Sequence, residues 1–174
     1  MKRPIQIIIK VAELFDDACA KIHFTGKNRA ENEPKSADYQ EGAEDKNKDV
    51  LMRSFQNALA SCQAMLSDYT PDIHGHVGSD TILDKTANII FVLMVPENFK
   101  PKTEYSLAQL IHMYLVDEAL VDWFEQVLPG DDKAYYKSRN IAAANLRNAL
   151  TLREKPGRTS INPDIVPFTN IEIE

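Results

Sequence analysis

Apolar residues recur at helical spacing in four stretches of this chain, and a fifth stretch breaks the rhythm with an unbroken apolar run. The first stretch runs from about Pro4 to Phe24. Ile8, Val11, Phe15, Ala18, Cys19 and Ile22 fall on one side, and Lys10, Glu13, Asp16, Asp17 and Lys21 on the other. Pro4 suits a first helical turn and Gly26 a stop signal. The isoleucine-rich opening also fits a short strand leading into a helix, and periodicity alone does not separate the two. A second helix is expected from Asp49, a good N-cap, to Pro71, with Leu51, Phe55, Leu59, Cys62, Met65, Leu66 and Tyr69 as its apolar stripe.

Residues 89 to 95, IIFVLMV, are seven consecutive apolar residues between Asn88 and Pro96, which predicts a buried strand. The short TIL at 81 to 83 is a candidate to pair with it as a hairpin over about 80–96. A third helix is expected from Thr103 to Leu128. It is apolar nearly all round, as a helix enclosed by neighbours is. Its candidate core residues are Leu107, Ile111, Tyr114, Leu115, Trp123, Phe124 and Val127. A fourth helix follows PGDD at 129 to 132, turning Tyr135, Ala142, Leu146, Ala149 and Leu150 inward and ending before Pro156. The sum is a mainly α fold: a bundle of about four helices with an inserted β-hairpin, in one domain over 1–155.

Two segments lie outside that pattern. Residues 27 to 48 hold eleven charges and almost nothing apolar, so a mobile polar loop is expected there. Residues 156 to 174 carry three prolines and end with Phe168, Ile171 and Ile173 alternating against polar neighbours. That reads as an extended C-terminal arm whose end can add a strand to a sheet edge, its own or a neighbour's.

Charge changes the picture in one respect. The 174 residues carry a net −6, which argues against general binding to nucleic acid or an anionic membrane. Yet residues 131 to 158 hold seven basic residues against three acidic ones, so that segment is +4 and the rest −10. Arg139, Arg147 and Arg153 are therefore candidate partner-binding residues, facing an acidic partner or a second copy. No 18-residue uncharged apolar stretch occurs, so no membrane span is expected, and the chain reads as cytoplasmic. Cys19 and Cys62 fall on apolar helix faces and are expected as buried free thiols rather than a disulfide.

The sharpest candidate chemistry is DIHGHVGSD at 72 to 80. On a strand, His74 and His76 would share a face, and Asp72 or Asp80 could complete a metal site and support a metal-dependent enzyme. Gly75 and Gly78 favour a turn, however, and no third ligand motif accompanies the pair. The polar-loop reading is preferred. Glu118, Asp122 and Glu125 share a helix face, but dimetal bundles need E-x-x-H pairs and the chain has none. A solvated face, or one meeting the basic fourth helix, is expected. His112, among apolar residues, is read as a satisfied buried histidine. G-x-S-x-G, Walker and G-x-G-x-x-G loops are all missing, so no catalytic residue and no cofactor is assigned.

The opening MKRPIQIII, the polar insertion after the first helix, the strand ending in VPENF, and the helix with YLVDEALVDWFEQVLP together carry a likeness. So does the following helix with its arginine- and proline-containing tail. The layout resembles small uncharacterised proteins encoded among the virion-assembly genes of phages and prophages of gut bacteria. That resemblance implies a neck, connector or tail-completion role, a place in the virion, homo-oligomers or other assembly proteins as partners, and no catalytic residues. The leading expectation is a non-enzymatic, self-assembling structural protein. A small adaptor that binds a protein partner through the basic helix, and the metal-dependent enzyme at 72–80, are the alternatives.

Overall fold

The computed structural model describes residues 2–32, 48–70, 88–127 and 133–153. Strand β1 (Lys2–Lys10) passes directly into helix α1 (Val11–Asn32). Helix α2 (Lys48–Met65) ends in a single 3-10 turn at Ser67–Tyr69. Strand β2 (Asn88–Pro96) leads to α3 (Pro101–Val127), and α4 (Lys133–Thr151) closes the order. The fold is mainly α: the described residues form four α-helices and one two-stranded antiparallel sheet. Residues 71–87 and 154–174 lie outside the described residues, and with them the TIL segment, the histidine segment and the arm. The proposed loop at 27–48 is described only at its ends, since α1 continues through Gly26 to Asn32 and α2 starts at Lys48.

The chain takes the strand alternative at its opening. A helix beginning at Pro4 would turn Ile8 inward. The strand instead turns Ile5, Ile7 and Ile9 inward, all buried, and leaves Ile8 55% exposed. Burying a large aliphatic side chain is worth about 1.5–3 kcal/mol, so three isoleucines inside outweigh one. Pro4 is tolerated because among the described residues β1 is an edge strand.

The second strand is where expected, but its partner is β1. In the register, Ile5 faces Leu93, Ile7 faces Phe91 and Ile9 faces Ile89, and these six form the inner face against the bundle. The expected buried strand is buried on one face only. Only alternate residues of IIFVLMV are buried, and Ile90 is 56% exposed opposite Ile8.

Helix α3 is the axis of the molecule, packing against α1, α2, α4 and β1. Leu107, Ile111, Tyr114, Leu115, Trp123 and Phe124 are buried on it, and Val127 packs partly buried at its end. Trp123 meets Phe124 edge to face at 4.9 Å, and Phe124 stacks on Tyr135 of α4 at 5.0 Å. Neither cysteine is in a disulfide; Cys62 is buried and Cys19 half-buried.

Candidate functional site

Five polar residues in the middle and last part of α3 bond side chains of the neighbouring helices. Asp117 is 1% exposed, yet its carboxylate accepts from Lys21 Nζ of α1 at 2.6 Å and from Ser138 Oγ of α4 at 2.5 Å. Next to it, Tyr135 and Thr25 share a hydroxyl–hydroxyl bond of 2.7 Å, which ties α4 to α1 a second time. Glu118 accepts from Arg139 at 3.3 Å, Glu125 accepts from Tyr136, and Asp122 accepts from Asn57 of α2 at 3.1 Å. The acidic row thus meets the basic fourth helix at two positions and α2 at the third. His112 is half-buried and bonds Asp17 of α1 at 2.7 Å.

Sequence reasoning had singled out Glu118, Asp122 and Glu125 and passed over Asp117, the carboxylate that is buried. The available signal was a second acid, adjacent to Glu118, inside the apolar run YLVDEALV. It lies on the side of α3 that faces α1 and α4, which only the packing reveals.

The candidate partner-binding arginines divide. Arg153 donates to the carbonyls of Leu150 and Leu152, and its guanidinium lies 5.8 Å from the Phe99 ring. It finishes α4 and pins the residues after β2. Arg139 and Arg147 instead come together on one open groove of about 640 Å³ between three helices. Ser61 and Ala64 of α2, and Tyr114 and Glu118 of α3, complete its walls. Arg139 is held over the Tyr136 ring at 4.9 Å as well as by Glu118. Burial pushes the Tyr114 hydroxyl up to about 12, helped by the Glu118 charge and opposed by both arginines. Burial, again with Glu118, pushes the Cys62 thiol to about 12. A thiol held protonated in this way is a poor nucleophile.

A second exposed feature lies on the sheet. Ile8 and Ile90 form a directly opposed pair on its outer face, flanked by half-buried Val92 and Met94. Tyr105, 86% exposed on α3, stands beside Ile8 across a shallow hollow of about 350 Å³. No group of three potential metal ligands occurs among the described residues. The candidates Asp72, His74 and His76 lie outside those residues, as do Phe168, Ile171 and Ile173 of the arm. No helix among the described residues is long and apolar enough to cross a membrane. No protein-family model, no curated protein and no solved structure matches this chain.

Proposed function

We propose that this chain is a non-enzymatic structural protein that self-associates, serving as a neck, connector or tail-completion component of a phage particle. The observation that carries the assembly reading is the outer face of the sheet. The solvent side of an antiparallel sheet is ordinarily polar. Here the cross-strand pair next to its Lys10–Asn88 end is Ile8 with Ile90, each more than half exposed. Contiguous exposed apolar surface of this kind marks an interaction site. Among the described residues, moreover, neither strand has a second partner along its free edge, and free edges are templates for pairing with another chain. The phage context rests on the resemblance of the sequence layout.

The test is the mass in solution, by light scattering on a sizing column at low and high salt. A defined oligomer is expected, loosening as salt screens its charged contacts. A monomer at every concentration and salt would overturn the reading.

A further inference from the structure

The groove between α2, α3 and α4 has the chemistry of a receptor for an acidic, extended peptide. We propose that its occupant is the segment TNIEIE, residues 169–174, of a second copy of this chain. This inference rests on the assembly reading above and names the contact that links one copy to the next.

Ala64, Ala143 and Ala144 are among the residues lining the groove, and their small side chains let a backbone approach closely. Arg139 and Arg147 flank it two helical turns apart, about 12 Å along α4. Arg139 is already oriented by Glu118 and Tyr136. Arg147 is exposed and has no carboxylate partner among the described residues. An oriented arginine beside an unengaged one is the arrangement by which arginine clusters take up acidic motifs.

The segment supplies the complement. In an extended peptide, alternate side chains point to opposite faces. Ile171 and Ile173 then share the face that meets the alanines, and Glu172 and Glu174 share the face within reach of the arginines. The segment's acidity is matched to the one basic stretch of an otherwise acidic molecule. A segment that fits the groove of one copy fits that of any other with identical contacts. Exchange between copies therefore links them at low cost.

The experiment uses the full chain and three variants, with helix content checked by circular dichroism. Arg147→Glu reverses the unengaged charge, Glu172→Arg with Glu174→Arg reverses the segment, and the third variant carries all three changes. Arg147→Glu and the reversed segment are each expected to weaken association at least tenfold. An equimolar mixture of those two variants is expected to recover a complex by light scattering, since one copy's reversed segment meets the other's reversed groove. An Arg147→Glu variant that assembles with wild-type mass and salt dependence would overturn the proposal and leave the assembly reading standing. Wild-type chain that is monomeric throughout removes the assembly reading first. Failure of the mixture, with the three-change variant compact and monomeric, would overturn exchange in favour of a segment seated in its own groove.

Discussion

Asp117 and Lys21 form an asymmetric pair, and the asymmetry sets what each side chain is worth. The carboxylate is 1% exposed and the lysine side chain 42%. Removing the lysine strands a buried charge, which costs about 3–5 kcal/mol. Removing the acid's charge lets the ammonium turn to water, while the Ser138 bond survives on an amide. Lys21→Met is therefore expected to destabilise the fold clearly more than Asp117→Asn in urea titrations. Equal losses would show that the pair is not divided as burial suggests. Cys62 and Tyr114 make a pH prediction. Their folded values of about 12 lie above the ordinary 9.0 and 10.0. Between those limits the unfolded chain gives up protons that the folded chain keeps. Their contribution is therefore complete below about pH 9 and falls as pH rises towards 12. Unfolding midpoints should drop over that window, and less steeply in Cys62→Ala. Superimposable slopes would count against Cys62 as a contributor.

The strands β1 and β2 show how one element divides its residues between two environments. Leu93 is fully buried and Ile90 is 56% exposed, three positions away on the same strand. Leu93→Ala is expected to cost about 2–5 kcal/mol through lost burial and a cavity. Ile90→Lys should leave stability within about 0.5 kcal/mol, as surface changes do, yet lower association. Chemical unfolding and light scattering on the same two proteins separate the effects. If Ile90→Lys left the assembled mass unchanged, the outer face would not be the interface. The seven-residue apolar run predicts a buried strand without showing that one face is open. Alternation cannot be read where every position is apolar, and only the packing shows which face the bundle covers.

For the whole molecule, α3 organises everything else; the enclosure expected from its apolar sequence holds along Tyr114–Phe124, while Tyr105 and Met113 nearer its start are exposed. The two-pole charge has a physical counterpart in the groove where Arg139 and Arg147 converge. Arg153, the third arginine of that set, binds the end of its own helix instead. A chain cut after Lys155 keeps every described element but lacks the segment that carries Phe168, Ile171 and Ile173. It is expected to lose mass in solution relative to the full chain while keeping its helix content. Identical assembly would remove the arm from the mechanism.

Helix α2, the apolar all-round character of α3, and the inward residues of α4 followed from local pattern. A 3.6-residue period and the burial of one face are properties of consecutive residues. Three outcomes depended on residues distant in sequence. β1 is a strand rather than the first turns of a helix because β2 supplies its hydrogen bonds and the bundle covers its inner isoleucines. Asp117 rather than Glu118 is the enclosed carboxylate, because Lys21 and Ser138 arrive from two other helices. Arg139 and Arg147 line one groove because α2 and α3 wall it beside α4. A local pattern fixes which face of an element seeks burial. Only tertiary packing decides what covers that face and which polar groups are enclosed with it.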